Sequence, residues 1–500
     1  MNSNPASPEA TPRLARIIPR DSHPISRSRI SPDALRVLYR LREAGFQAFL
    51  VGGCVRDLML GIEPKDFDVA TDALPEQVKK LFRNCRLVGR RFRLAHVFFG
   101  REIIEVATFR ASSAPSQADD PVASLESSDE VTDELLVEGE SSPTMDSSGD
   151  TLDARDIHDF DENVERVVDD SGRILRDNVY GSIDDDVWRR DFTCNALYYN
   201  IADFSVWDYC GGFEDVGARR LRLIGDPETR YREDPVRMLR AARFEAKLGF
   251  DIEPATAEPI VALAELLAGV PAARLFDETL KLFLTGHGAR SLETLRRRGL
   301  LKVLLPNVGD FMERYPQSPP AQMLMQALAN TDARVQADKP VTPGFLFAVL
   351  LYGSIGLEIE KAPREQWHDI GTILDAVDRA VMVIHRRVAV HRRFILGVRD
   401  MFALQPRLES PRGRRALRTM EHPRFRAAFD LLQLRAQFGM ADAAIVEWWS
   451  RMQSANAEQR AAMAESLGRA SGSGTTRSGA SRSRGGRRRG RGGRSRRSAE

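Results

Sequence analysis

Two carboxylates two residues apart lie in KDFDVATDA, residues 65–73, a segment whose pattern otherwise predicts a β-strand. Successive strand residues point to opposite faces, so Asp66 and Asp68 project on one side while Phe67 and Val69 face the core. Side-by-side carboxylates repel each other, and a cation between them relieves that repulsion. The pair is therefore a candidate metal site, although a D-x-D in a surface turn is the alternative that this segment alone leaves open.

A pair of glycines, Gly52 and Gly53, lies between a predicted strand (46–51) and a predicted short helix (54–60). Glycine lets the backbone approach a ligand closely, and the first N–H groups of a helix attract anions. Arg56 in the first helical turn adds a cation near such an anion. A GG turn alone is more often only a turn. Followed by a D-x-D on the next strand, it becomes a candidate phosphate site, because metal ions on the carboxylates would bridge the phosphates.

A third carboxylate is available in IIEVATF, residues 103–109. Glu105 alternates with Ile104 and Val106, so it points away from the core that those two side chains fill. On a strand beside the aspartate pair it would complete a set of three carboxylates. An ordinary solvent-facing strand residue is the alternative.

The elements around these residues predict a mixed α/β head. Ser31 followed by proline opens an amphipathic helix, and residues 93–100 and 101–110 form two strands that meet in a hairpin. From about residue 226 to residue 467 helical periodicity dominates. The predicted fold class is α+β, a head built of a small mixed sheet with helices, followed by an all-helical neck and body.

Three segments lack the patterns of folded structure. Residues 1–30 are rich in Pro, Ser and Arg, and residues 112–168 are strongly acidic with few aromatics, so both are predicted to be flexible. The tail, residues 468–500, consists mainly of Arg, Gly and Ser and is predicted to be disordered. Such a tail attracts the phosphate backbone of nucleic acids without reading sequence. A solubilising terminus is the alternative.

Composition excludes several classes of protein. The chain has 500 residues, of which 42% are hydrophobic and 29% charged, and a formal net charge of +2. Its cysteines are scattered, which argues against a disulfide framework or a zinc site. The N-terminus lacks the apolar segment of a secretory signal, and the most apolar run, 343–357, is shorter than the roughly 20 residues of a membrane span. We therefore expect a soluble, cytoplasmic protein without a membrane span.

Three ordered motifs resemble the class II nucleotidyltransferases, which include bacterial poly(A) polymerases and CCA-adding enzymes. They are FLVGGCVRDLMLGIEPKDFDVATDA (49–73), RRDFTCNALYYN (189–200) and RYREDPVRMLRAARF (230–244). Two further segments, 81–100 and 421–436, are similar to the poly(A) polymerase branch in particular. The resemblance runs with interruptions from about residue 17 to residue 449, and the acidic insertion is its main departure.

The resemblance implies a metal site that holds two Mg²⁺ ions, with ATP as the substrate. Asp66 and Asp68 match the metal-binding pair, and Glu105 lies where the carboxylate set is completed. Contacts to the nucleotide phosphates are implied for the glycine turn and the helix that follows it, at Gly52, Gly53 and Arg56.

Other matched positions are implied to hold the incoming nucleotide. Arg190 and Asp191 fix it, and Asp191 is also counted among the active-site aspartates of the polymerase branch. From the residues alone, Asp234 before Pro235 is also a good helix N-cap. Arg237 and Arg240 are three residues apart and predict a solvated basic face of a helix. The positions that match the base-edge group and its neighbouring phosphate or base contacts are Glu233, Asp234, Arg237, Arg240 and Arg243.

The resemblance implies template-independent polyadenylation of RNA 3′ ends. AMP passes from ATP to the 3′-hydroxyl by a two-metal mechanism, pyrophosphate is released, and the product promotes RNA turnover, with RNA-decay proteins as candidate partners. The implied domains are a catalytic head (31–225), a neck for base recognition and RNA binding (226–290) and an RNA-binding body (291–467).

Two rival functions remain open from the sequence. A CCA-adding tRNA nucleotidyltransferase shares the head and neck, and long A tracts from ATP or CTP use on truncated tRNA would separate the two enzymes. A catalytically dead RNA-binding adaptor is the other rival, and the intact aspartate pair, GG turn and RRDF segment argue against it.

Overall fold

The computed structural model describes residues 14–89, 93–111, 166–168, 174–177 and 180–470. The strands are β1 (Arg16–Ile18), β2 (Ala48–Val51), β3 (Asp68–Thr71), β4 (Cys85–Val88), β5 (Leu94–Phe99), β6 (Glu102–Thr108), β7 (Arg166–Val168), β8 (Ile174–Asp177), β9 (Leu197–Asn200), β10 (Val206–Asp208), β11 (Arg220–Leu221) and β12 (Asp251–Ile252).

The helices of the first half are α1 (Pro32–Glu43), α2 (Gly53–Met59), α3 (Pro75–Leu81), α4 (Ile183–Arg189), α5 (Gly212–Gly217), α6 (Pro227–Glu233), α7 (Val236–Leu248), α8 (Pro254–Leu263) and α9 (Ala272–Phe283). Those that follow are α10 (Gly288–Arg297), α11 (Leu301–Leu304), α12 (Pro306–Arg314), α13 (Pro319–Gln336), α14 (Pro343–Ile359), α15 (Ile370–Arg387), α16 (Arg392–Glu409), α17 (Arg415–Met420), α18 (Phe425–Gln437), α19 (Ala443–Ser454) and α20 (Ala457–Ala470).

Eight of the described strands form one mixed sheet in the order β1-β10-β9-β2-β3-β6-β5-β4. Its pairs are antiparallel except for β3 and β6, which are parallel. A parallel pair needs a crossover connection, and the chain between β3 and β6 supplies it through α3 and the β4–β5 hairpin. This one parallel pair lies in the interior of the sheet and carries two of the predicted metal ligands.

Local sequence explains the elements that hold the site. Ser31 caps α1, since its hydroxyl accepts from the Asp33 N–H at 3.2 Å. Gly100, with φ of 62°, turns the predicted hairpin between β5 and β6. Phe49 and Tyr198 are buried on one face of the sheet, where α4 packs against them through Val187. The predicted mixed head is confirmed.

The contacts of the chain divide it into two compact units, residues 1–402 and 403–500. In the described part of the second unit Trp449 is fully buried, and its Nε1 donates to the Leu408 carbonyl at 2.8 Å. The predicted domain limits at residues 225 and 290 stay predictions.

Several expectations need correction. Residues 14–30 are not uniformly irregular, because β1 pairs with β10 and Ile25 is fully buried. The predicted disordered insertion ends too late, since β7 pairs with β8. The neck is mostly but not entirely helical, because β12 pairs in parallel with β11.

The rest of the predicted insertion, 112–165, and the tail from 471 lie outside the described residues, and α20 extends three residues into the predicted tail. The apolar run 343–357 is a helix, α14, as predicted. Within the described ranges no helix has both the length and the apolar composition of a membrane span.

Candidate active site

The carboxylates Asp68 and Glu105 are direct neighbours on the parallel pair β3–β6. Phe67 and Val69 are buried, whereas Asp68 is half-buried, so the predicted alternation of faces is confirmed here. Glu105 also lies between buried neighbours and is 22% exposed. Because in-register residues on adjacent strands project from the same face, the two carboxylates share one side of the sheet.

Asp66 differs from the expectation in one respect, because β3 begins at Asp68 and Asp66 lies in the exposed segment before it. Among the described residues, no group of three or more His, Cys, Asp or Glu side chains has metal-binding geometry. The donors themselves suit the predicted ion, since carboxylate oxygens are what Mg²⁺ prefers.

His96 is a neighbour of the Asp68–Glu105 pair that sequence reasoning missed. It lies opposite Glu105 on β5, with Nε2 3.3 Å from Glu105 Oε1. The alternation of β5 could have shown it, because His96 is the polar residue between buried Ala95 and Val97.

The glycine turn lies directly beside Asp68. Val51, the last residue of β2, is in register with Asp68, so the chain turns at Gly52 next to that carboxylate. Gly52 has φ of 78° and ψ of −135°. A Cβ atom on Gly52 would lie 3.7 Å from Arg190 Nη1 and 3.9 Å from Asp68 Oδ2. The turn therefore brings together a carboxylate and a guanidinium that are distant in sequence.

Gly52→Ala is expected to lower the free energy of unfolding by about 1–3 kcal/mol, since this backbone conformation strains any residue with a Cβ. Urea denaturation measures the change. The matched control is Gly217→Ala at the end of α5, where φ is not positive and a Cβ would meet no atom within 4 Å. Equal stability of the Gly52 and Gly217 variants would contradict the strained turn.

Arg56 is buried against the second glycine of this turn, where a Cβ on Gly53 would lie 3.5 Å from Arg56 Nη2. Its side chain is 2% exposed, with Nη1 donating to Asn195 Oδ1 at 2.5 Å and Nη2 2.7 Å from Asp57 Oδ1. These contacts hold the start of α2 against the 193–195 segment. The phosphate contact implied for Arg56 stays a prediction.

Arg190 belongs to a compact polar network at the end of α4. Its Nε donates to the Tyr198 hydroxyl at 2.9 Å and its Nη2 to Asp186 at 3.0 Å, while the Tyr198 hydroxyl donates to the same carboxylate at 2.7 Å. Burial alone would raise the pKa of Asp186, but the charge of Arg190 and the Tyr198 hydrogen bond outweigh it and hold that pKa below its usual value. Arg190 is thus fixed in orientation beside Gly52.

Asp191, the next residue, is buried and has different partners from Arg190. Its Oδ1 accepts from the Phe192 N–H at 2.7 Å, and its Oδ2 accepts from Arg240 Nε at 2.8 Å. Burial opposes ionisation of Asp191, yet the Arg240 charge and hydrogen bond lower its pKa below the usual value. The pair ties the 190s loop to α7. The nucleotide contact implied for Asp191 stays a prediction.

The residues of the implied base-edge group lie where α6 meets α7. The N-cap of α7 is Pro235 and not Asp234, the residue that the sequence had suggested. Asp234 Oδ1 accepts from the Val236 N–H at 3.2 Å, and its Oδ2 accepts from Arg274 Nη2 at 2.7 Å. Arg237 is 5% exposed, and its Nη1 lies 3.2 Å from Glu233 Oε2. The Arg237 Nε is buried and has no hydrogen-bond partner among the described residues.

The solvated basic face on α7 was a wrong alternative. Arg237, Arg240 and Arg243 are all buried or nearly so, and Arg243 lies 3.4 Å from the buried carboxylate of Glu278 on α9. Helical spacing places arginines on one face, but it does not show whether another helix covers that face.

The structure therefore forms two groups from the predicted residues. Asp68, Glu105, Gly52 and Arg190 meet at the glycine turn, with Asp66 in the chain just before them. The group on α6 and α7 is linked to the head through Asp191. The partners that sequence reasoning missed are Asp186, Asn195, Tyr198, Arg274 and Glu278. Of these five, only Asp186 had a local signal, an i,i+4 spacing to Arg190.

Three family models match this chain. The "Poly A polymerase head domain" matches residues 48–222. The "Probable RNA and SrmB-binding site of polymerase A" matches residues 249–312, and the "Polymerase A arginine-rich C-terminus" matches residues 365–492. Together they follow the order of the predicted head, neck and basic C-terminal region.

Similar proteins point to the same branch. The chain is 45% identical over 457 residues to poly(A) polymerase I of Salmonella typhi, covering 90% of this chain and 88% of that protein. A CCA-adding enzyme of Bacillus velezensis is 31% identical over 271 residues, 54% of this chain and 55% of that protein. The CCA-adding alternative is thus the more distant one.

A solved tRNA-processing enzyme in its apo form has the same fold, with a TM-score of 0.52 and 17% identity over 89% of this chain and 99% of that chain. The mixed head and mostly helical remainder therefore agree with the fold of that enzyme, while the long sequence match gives the branch. The chain belongs to the bacterial poly(A) polymerase family, whose enzymes polyadenylate RNA.

Proposed function

We propose that in RNA polyadenylation by this chain Asp66, Asp68 and Glu105 hold Mg²⁺ beside a nucleotide triphosphate at the glycine turn. The observation that carries this proposal is the parallel register of Asp68 with Glu105 next to Gly52. Bound Mg²⁺ supplies activation of the RNA 3′-hydroxyl and neutralisation of the charge that develops on the leaving pyrophosphate.

Arg190 is the side chain best placed to contact the triphosphate. Asp186 and Tyr198 fix its guanidinium, and its Nη1 faces the turn, so it needs no reorientation to meet an anion there. Arg110, a residue not singled out in the sequence, adds positive charge nearby. Burial, and secondarily the charge of Arg189, lowers the pKa of Arg110 to about 10, so this guanidinium remains protonated at neutral pH.

The base is read by Asp234 and Arg237. Arg274 holds the Asp234 carboxylate, and Glu233 holds one end of the Arg237 guanidinium. A buried donor without a protein acceptor costs free energy unless a ligand satisfies it, so the Arg237 Nε is the group expected to donate to the base edge.

The test of the function is a single-nucleotide assay. The full chain is incubated with a generic RNA and one nucleotide at a time, and the products are sized. We expect long tracts from ATP alone. CTP addition to truncated tRNA, without A tracts on other RNA, would contradict polyadenylation.

Arg237→Ala is expected to reduce the preference for ATP over CTP more than it reduces total turnover. The loss of one base-edge hydrogen bond corresponds to about 0.5–1.5 kcal/mol, or roughly two- to tenfold in selectivity. The ratio of kcat/KM for the two nucleotides measures it.

The control is Arg232→Ala on α6, an exposed arginine paired with Glu228, which should leave the ratio unchanged. If kcat/KM of the Arg237 variant falls in equal proportion for ATP and CTP, Arg237 has a structural or phosphate-binding role instead.

A further inference from the structure

A cavity of about 320 Å³ lies within the unit 1–402 and contains none of the residues discussed above. One side is formed by α9, with Phe276 and Asp277. The other side is formed by the end of α15 and the start of α16, with His385, His391 and Arg392. This volume is at the small end of the roughly 300–1,000 Å³ range of ligand sites, so it suits one nucleotide and not a peptide or helix.

The floor of the cavity is a fixed aromatic ring. Phe276 is 4% exposed, and its ring stacks with those of Phe347 and Phe394, each with centroids 6.2 Å away. The exposed ring of His391 lies edge-on to Phe276 at 4.8 Å. Aromatic side chains, histidine included, are the surfaces on which single-stranded nucleic acids stack their bases.

The rim of the cavity is basic. The triplet His-Arg-Arg occurs twice, at 385–387 and 391–393, on either side of the helix junction. Arg387 turns inward, and its Nε donates to the Val303 carbonyl at 2.8 Å. Arg392 is exposed and has no hydrogen bond or ion pair with any residue in the described ranges. Arg392 is therefore a cation available to a phosphate.

The cavity lining also contains one carboxylate, Asp277, which is exposed. Its neighbour Glu278 points inward to Arg243 and Lys281. A carboxylate accepts hydrogen bonds only, so Asp277 suits a base with an exocyclic amine and disfavours uracil.

We propose that this cavity binds one nucleotide of the RNA strand, with an adenine base on the exposed ring of His391 over the buried Phe276, its amine donating to Asp277, and its phosphate on Arg392. The proposal rests on RNA polyadenylation, because the growing tail itself supplies the adenines. One side of the cavity belongs to the segment matched by the probable RNA-binding model, which assigns no individual site. A consequence is that RNA ending in adenosines is held more tightly than the first, non-adenylated 3′ end.

The test is fluorescence anisotropy of the full chain with 3′-blocked oligo(A) and oligo(U). His391→Ala should weaken oligo(A) binding by about tenfold, the size expected of one stacked base. Arg392→Ala should weaken it too, through the loss of a phosphate contact. Arg392→Ala should also reduce the log–log salt slope by about 0.7, one single-strand phosphate contact. Asp277→Ala should bring the affinities for oligo(A) and oligo(U) together. Arg364→Ala, an exposed arginine before the other end of α15, is the matched control and should change neither affinity.

Activity distinguishes this subsite from the polyadenylation centre. The variants should add the first AMP to a short non-adenylated primer at the wild-type rate, while KM for an oligo(A)-ended primer rises and kcat does not change. Oligo(A) affinity within twofold of wild type in both the His391 and Arg392 variants would overturn the subsite. So would an equal loss in Arg364→Ala. Failure of the wild-type chain to add the first AMP would instead contradict polyadenylation itself.

Discussion

Asp68→Ala is expected to reduce AMP addition by about a thousandfold or more, because metal-borne charge stabilisation contributes several kcal/mol and each 1.36 kcal/mol is tenfold in rate. Asp66→Ala should have a similar effect. Primer extension with ATP under single-turnover conditions measures the loss, and RNA affinity should change little. The control is Glu102→Gln, which removes the carboxylate at the first position of β6, the strand that also carries Glu105.

A second readout does not depend on activity. Mg²⁺ that binds the folded state raises the melting temperature, so the wild-type chain should gain stability with added Mg²⁺ and Asp68→Ala should not. Without metal the variant should be at least as stable as wild type, since carboxylate repulsion is relieved. Activity within tenfold of wild type for both aspartate variants would rule out the metal assignment.

Arg240→Leu is expected to lower the free energy of unfolding by about 3–5 kcal/mol, because it leaves Asp191 as a buried, uncompensated charge. Asp191→Asn should destabilise the fold less than Arg240→Leu does. The partner that remains, Arg240, is a long side chain that packs over the Phe244 ring. Urea denaturation followed by tryptophan fluorescence, to which Trp188 and Trp207 of the head contribute, measures the change.

The pH dependence of this effect has a definite sign. The folded-state pKa of Asp191 is lowered, so its pairing with Arg240 stabilises fully above the unfolded pKa of about 3.9 and is lost as pH falls through the folded value. The gap between wild type and Arg240→Leu should therefore be full at pH 7 and shrink below about pH 4. A gap that is independent of pH would mean that the variant loses packing and not an ion pair.

The sequence by itself determined which residues are candidates for the chemistry. Asp66, Asp68 and Glu105 are recognisable because carboxylates interrupt strand patterns at alternating positions, and that alternation is a local property of an extended backbone. The glycine turn, the hairpin at Gly100 and the cap of α1 at Ser31 also follow from residues close together in the chain. These are the features that the structure shares with the expectations.

Only the tertiary structure decided what those residues meet. The parallel pairing of β3 with β6 sets Asp68 beside Glu105. The pattern of a strand does not show which other strand it pairs with. The spacing of Arg237 and Arg240 indicated a solvated face, yet both are buried, as is Arg56. The acceptors of Arg56 and Arg240 are distant in sequence, which no local pattern shows. A guanidinium can be buried only when a specific acceptor is placed against it, and Asn195, Glu233 and Asp191 supply those acceptors through the packing of α2, α6 and α7.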